Sequence, residues 1–348
     1  MRATSWRAPL LTGMTFFSAC GSPAEDAAAN RFDALFVEAT RVALRNQPSD
    51  PIAEIASVSR RPGGGYLVVD AVSHRVLVFD GAGELERVLG RQGDGPGELD
   101  TPTAAVELPD GRVFVTQRAN PRMTVFRPDD DPLILEVPGL YGRWLQELGD
   151  HLIAGIGSRG DRFVVMSQAG DSLASFGPLA PEVSEIPFWI YYAMEHATVL
   201  GDRIAINTSF YPGVRVFDSS GALVDSIDAA PPSWVQAGPP PVDRARTPDA
   251  QQAVRQWSRE FTVVAGLAGL RTGQLVVQYG RFDPSSQDIY HIQPSLLDVF
   301  SPDGRKVAEE VPLPHRIVSG GAALLVLVGQ PPDPWTFAEY EWRTPDAR

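Results

Sequence analysis

Arg91, Arg118, Arg159 and Arg281 are the residues of this chain best suited to hold an anion. A guanidinium grips carboxylate or phosphate with two parallel hydrogen bonds. On a chain of formal charge −13, arginines gathered at one place would form a local positive funnel. The competing use is structural pairing with the acids close by in sequence, Asp94, Glu98, Asp161 or Asp283. Tyr191 and Tyr211 offer rings for stacking, although the run Phe188-Trp189-Ile190-Tyr191-Tyr192 is equally suited to filling space between layers. His196 is one of five histidines, with His74, His151, His291 and His315, and no two stand at a ligand-pair spacing. Glu195, Asn207, Asp70 and Asp202 have the oxygen chemistry that calcium favours, and are also ordinary strand-end turn formers. No Gly-x-Ser-x-Gly appears. The glycine-rich stretch 90–97 lacks the Gly-Lys-Ser/Thr ending of a phosphate loop. No cofactor and no metal are expected.

A second kind of chemistry sits at the N-terminus. Arg2 and Arg7 precede an apolar stretch, 8–19, that ends in small residues and is too short to cross a bilayer as a helix. The only cysteine, Cys20, follows directly, so no disulfide is available. Phe17-Ser18-Ala19-Cys20 resembles the lipobox of bacterial lipoproteins, with Phe17 where leucine is usual. The resemblance implies cleavage before Cys20 and a lipid on its thiol. The alternative is an ordinary signal peptide cut elsewhere, with Cys20 incidental. The stretch 21–31 is small and polar, the composition of a linker. Cleavage would remove Arg2 and Arg7 and take the charge from −13 to −15, which argues against nucleic acid as a partner.

The elements that must carry these groups come from repeats. His74-Arg75-Val76-Leu77-Val78-Phe79-Asp80 returns as Arg122-Met123-Thr124-Val125-Phe126, then as Val214-Arg215-Val216-Phe217-Asp218 and Leu297-Asp298-Val299-Phe300. A degenerate copy is Phe163-Val164-Val165-Met166. Each is preceded by another strand opened by a Gly or Asp turn, as hairpins require. A period near 40–50 residues points to propeller blades, here a to d from the inside outward. Five units cover 52–313. The sixth needs 34–44 as its outer strand against 337–342, which closes the ring and covers exposed edges. The expected fold is therefore all-β, a six-bladed β-propeller of four-stranded blades closed by the N-terminal strand.

The run 65–99, GYLVVDAVSHRVLVFDGAGELERVLGRQGDGPGEL, resembles an NHL-type repeat of bacterial six-bladed propeller lipoproteins. That resemblance implies fold and export, and no particular activity. The expected organisation is a signal peptide (1–19), a lipidated tether (20–31), the propeller (32–343) with an insertion (229–258), and a tail (344–348). Long connections at 91–100, 177–187, 229–258 and 280–294 all belong to the face where b–c and d–a links emerge. Long loops on a rigid scaffold are where binding residues gather. Arg118, Arg159 and Arg281 fall in b–c loops of that face, and Arg91 and Arg143 at d–a junctions. In the insertion, Thr247 followed by Pro248 marks a helix start. The reading is an exported, membrane-anchored lipoprotein, periplasmic or at the cell surface. It binds a protein or small anionic ligand through Arg91, Arg118, Arg159, Arg281, Tyr191, Tyr211 and His196. The alternative is an exported enzyme, a metal-dependent lyase or a lactone hydrolase.

Overall fold

The computed structural model describes residues 32–45, 50–118, 121–156, 160–178, 195–238, 241, 247–283, 292–293, 295–330 and 333–343, without the side chains of Tyr141 and Arg143. The segments read from sequence as signal peptide and tether, 1–31, and the tail 344–348 lie outside them. After a helical turn at 32–35 comes β1 (Phe36–Ala43). Blade 1 is β2 (Ile55–Arg60), β3 (Tyr66–Asp70), β4 (Arg75–Phe79) and β5 (Leu85–Leu89). Blade 2 is β6 (Pro102–Glu107), β7 (Val113–Gln117), β8 (Arg122–Phe126) and β9 (Leu133–Glu136). Blade 3 is β10 (Leu140–Leu148), β11 (His151–Ile156), β12 (Phe163–Ser167) and β13 (Ser172–Phe176). Blade 4 is β14 (Glu195–Leu200), β15 (Arg203–Thr208), β16 (Gly213–Phe217) and β17 (Leu223–Asp228). A helix, α1 (Pro248–Ser258), precedes blade 5, which is β18 (Val263–Gly269), β19 (Leu275–Gly280), β20 (Leu296–Phe300) and β21 (Lys306–Pro312). Blade 6 is β22 (Arg316–Ser319), β23 (Leu324–Gly329) and β24 (Thr336–Trp342), with β1 as its outer strand.

All six sheets are antiparallel, and their first strands pack on one another around a complete ring, β22 on β2 included. The fold is a six-bladed β-propeller. The N-terminal segment is strand rather than helix from Phe36 on, paired with β24 from Phe36↔Trp342 to Ala43↔Thr336.

Burial explains the strand sequences. A blade is sandwiched between two others, so its middle strands are covered on both faces and read as unbroken apolar runs, as in β3 and β4. Alternation then sends neighbours to different seams. Leu67 and Val69 pack on blade 2, against Val113 and Val115, while Val68 packs on blade 6, against Leu325 and Phe337. Outer strands such as β5 and β17 are largely exposed. Tight c–d turns follow the repeated Phe-Asp phrase. Asp80 Oδ1 accepts from the amides of Ala82 and Glu84, and Asp218 Oδ1 from those of Ser220 and Ala222. Gly83 and Gly221 complete these turns at the same φ, +83°, a region that only glycine enters freely.

A propeller leaves one edge of each inner strand unpaired by backbone. At every seam a side chain of the adjoining blade bonds to that strand or its turn. Ser59 Oγ donates to Ala105 O (2.8 Å), and Thr116 Oγ1 lies 3.2 Å from Gly142 O. The amides of Val199, Gly269 and Ile317 donate to Gln146 Oε1, Thr198 Oγ1 and Gln278 Oε1 at 2.9, 2.8 and 2.8 Å. Arg60 Nη1 closes the sixth seam by donating to the carbonyls of Gly320 and Ala323. Leaving such buried groups unmet costs about 1–3 kcal/mol each.

Candidate ligand-binding face

Because the inner strands run in one direction, all a–b and c–d turns emerge on one face (the turn face) and all b–c and d–a links on the other (the loop face). The loop face of blade 1 is organised by Asp70, the last residue of β3, whose carboxylate is wholly buried. It accepts from the amides of Ala53, Glu54 and Ser73 and from Arg75 Nε and Nη2, at 3.1–3.3 Å. Arg75 also reaches Asp50 and Pro51 O. His74, held at φ +53°, accepts the Thr101 amide on Nδ1 at 3.0 Å. In blade 2, Gln117 takes the place of Asp70, accepting the Asp100 amide and donating to Thr124 Oγ1.

The glycine-rich link curls around buried Leu99. The Leu99 amide donates to Arg91 O, and Glu98 accepts from the Gly95 amide and from Arg91 Nε and Nη2 at 2.9–3.1 Å. The Gly95 amide, then the Arg91 guanidinium, hold the Glu98 carboxyl below the usual range. Arg91 is thus engaged by its own loop. Arg118 and Arg281 differ. Each is the first residue after its b strand, each is exposed, and among the described residues neither guanidinium has an ion-pair partner. They stand in blades 2 and 5, on opposite sides of the six-membered ring, so they flank the channel mouth instead of clustering. Arg143 is not at a d–a junction. The turn at Gly139 (φ +78°) shortens that link, and Arg143 lies within the inner strand β10. Arg159, Tyr191 and Cys20 lie outside the described residues.

Blades 4 and 5 carry a roof. The insertion is tied down by Val235 N to Thr262 Oγ1 (2.9 Å), Ser233 N to Glu310 Oε1 (2.9 Å) and Lys306 Nζ to Ala230 O (3.2 Å). Thr247 caps α1, accepting the Ala250 amide. The helix buries Val254 and Trp257 against Phe210, Val263, Ala265, Phe282 and Ile292, with half-buried Tyr211 packed on the same cluster. Phe210 and Trp257 stand 5.1 Å apart. Sequence patterning located this helix but not its seat, because Phe210 and Phe282 resemble any other core aromatics.

Beside the roof, at the start of β14, His196 Nε2 donates to Val264 O at 3.1 Å, so the neutral ring carries its proton there. Burial, then Arg316, depresses its pKa to about 4. Its neighbour Glu195 is held by the buried Arg162 through two bonds of 2.7 and 2.9 Å across the seam from blade 3. With His196 below the ordinary imidazole value, the unfolded chain binds the extra proton first, so acidification destabilises the fold. Stability should therefore fall by up to about 3 kcal/mol as pH drops from about 6.5 toward 4. Urea titrations at pH 7 and pH 4.5 check this with His196→Gln, which should lose less on acidification than wild type. Parallel losses in the two proteins would assign the effect to other groups, His315 and the carboxylates first.

Among the described residues, no three His, Cys, Asp or Glu side chains converge as a metal-binding group. No family model matches the chain, and no curated protein matches it. Solved structures do. A Bacteroides fragilis protein named as exported is 12% identical, at a TM-score of 0.62 over 90% of this chain and 96% of that one. A member of the DUF4221 family from Bacteroides vulgatus is 9% identical, at 0.64 over 89% and 98%. Virginiamycin B lyase from Staphylococcus aureus is 11% identical, at 0.52 over 85% and 82%. At these identities the likeness is one of fold, and fold alone carries no activity.

Proposed function

We propose that the chain is an exported propeller of the NHL-repeat type, anchored by a lipid on Cys20, which binds an anionic partner on its loop face. The observation that carries this reading is the asymmetry of the two faces. The turn face is built of short turns. The loop face bears the long links and a helical roof bonded down at several points. Structural arginines in this chain find carboxylates, as Arg91, Arg122 and Arg162 do. On the long-loop face Arg118 and Arg281, exposed and without one among the described residues, are available to a ligand of opposite sign on a chain of charge −13. The apolar stretch 8–19 before the lone Cys20 supports export and anchoring.

Site-specific photo-crosslinking in the intact cell envelope tests the binding face. A crosslinker at Arg118 or Arg281 should capture adducts, fewer as salt rises, and one at Asp110 or Asp202 on the turn face should not. Arg118→Ala and Arg281→Ala should leave stability within about 1 kcal/mol of wild type, the usual range for exposed sites. Adducts confined to the turn face, or none from either face, would reject the proposal.

A further inference from the structure

Topology decides which face an N-terminal anchor would hold. β24 is the third strand of blade 6, so its end at Trp342 lies on the turn face, beside the 320–323 turn. Phe36 pairs with Trp342, so β1 begins on that face also. The helical turn at 32–35 advances only about 6 Å, and Phe32 rests on Tyr340 with ring centroids 5.0 Å apart. The chain thus enters the propeller at the turn face. Its loop face lies about 20 Å away, the length of a six-residue b strand such as β19.

We infer that the anchored molecule stands with its turn face toward the bilayer and its loop face away from it. Arg118, Arg281 and the helical roof then meet an anionic partner in the aqueous compartment, and not the lipid headgroups. This rests on the anchoring at Cys20 proposed above. The sequence places eleven residues, 21–31, between Cys20 and Phe32, whose root-mean-square span as a linker is about 18 Å. That is shorter than the thickness of the ring. Turning the loop face to the membrane would require the linker to run along a blade, stretched past that span toward its limit of about 40 Å. The turn face itself is acidic. Arg112, Arg127 and Arg305 are engaged by Asp110, Asp130 and Asp303, and Asp129, Asp131, Asp150, Asp171 and Asp218 outnumber exposed Arg271 and Arg343, which have no ion-pair partner among the described residues. Against anionic lipid such a face is repelled within about 8 Å at physiological salt, so the molecule stands off the surface and does not lie on it.

Residues 20–348 can be coupled through Cys20, the sole thiol, to maleimide lipid in phosphatidylcholine–phosphatidylglycerol vesicles that carry a headgroup energy acceptor. A donor dye goes on through p-azidophenylalanine at position 202 (turn face) or 281 (loop face). Transfer from 202 should exceed that from 281 by at least about twofold, given about 20 Å between the faces. Equal or reversed efficiencies overturn the orientation. Inserting forty Gly-Ser residues between 30 and 31 should erase the difference, and a difference that survives would remove the linker as its cause. Chemical coupling bypasses cellular lipidation, so that reading is tested separately. Cys20→Ser should move the protein from the membrane to the soluble fraction, and retention on the membrane would refute the lipid anchor while leaving the vesicle result intact.

Discussion

Deleting residues 32–44 should abolish cooperative folding, whereas deleting 21–30 should leave the melting curve where it was. The first segment supplies the outer strand of blade 6 and buries Phe32, Phe36, Val42 and Leu44, none more than 6% exposed. Burying each side chain is worth about 1.5–3 kcal/mol, so the four together approach the entire stability of a typical domain, about 5–15 kcal/mol. The loss is also topological. Without β1, the edge of β24 opens, and Phe32 no longer stacks on Phe36 or meets Tyr340. Circular dichroism melts and limited proteolysis of both truncations check this. Equal midpoints would show that blade 6 holds with three strands and that closure is not what the N-terminal strand contributes.

Asp70→Ala should cost about 3–5 kcal/mol, the scale for removing one partner of a buried charge pair. The substitution strips the acceptor from three backbone amides and leaves the buried Arg75 with the exposed Asp50 as its remaining carboxylate. Asp70→Asn keeps an oxygen for the amides but turns a nitrogen toward Arg75, so its loss should be smaller. Urea unfolding gives the test, with midpoints shifted and slopes unchanged if the native state alone is affected. A loss below about 1 kcal/mol for the alanine variant would mean that Arg75 and the entry strand re-form their bonds elsewhere, and that Asp70 is not the hub of this loop.

Asp70 stands just before the repeated phrase, whereas 32–44 were reached from the need of the sixth blade for an outer strand. The Phe-Asp turn of Asp80 recurs at Asp218 because it serves contacts two to four residues away, and short-range contacts leave short-range patterns. The helix after Thr247 was legible for the same reason, since its cap acts over three residues. The fate of the arginines was not. Arg91 and Arg118 have the same charge and both follow strands of the loop face, yet one is closed on Glu98 by the curl of its link and the other stands open. Arg162, which no motif marks, is the most deeply buried arginine among the described residues, and its partner Glu195 lies across a seam, 33 residues along the chain.

By itself the sequence determined the blade period, the alternation of side chains between seams, the turns, and the need for an N-terminal strand to complete the ring. These follow from steric and hydrophobic preferences acting over two to fifty residues. Only the tertiary structure decided which polar side chains were spent on the fold and which stayed exposed without an ion-pair partner among the described residues. A buried donor or acceptor must be met, and the group that meets it comes from whichever blade closure brings alongside. Arg60 of blade 1 finds Glu339 of blade 6, 279 residues distant, only because the ring is closed. The same closure puts Arg118 and Arg281 on opposite sides of one mouth, and the entry of the chain on the opposite face.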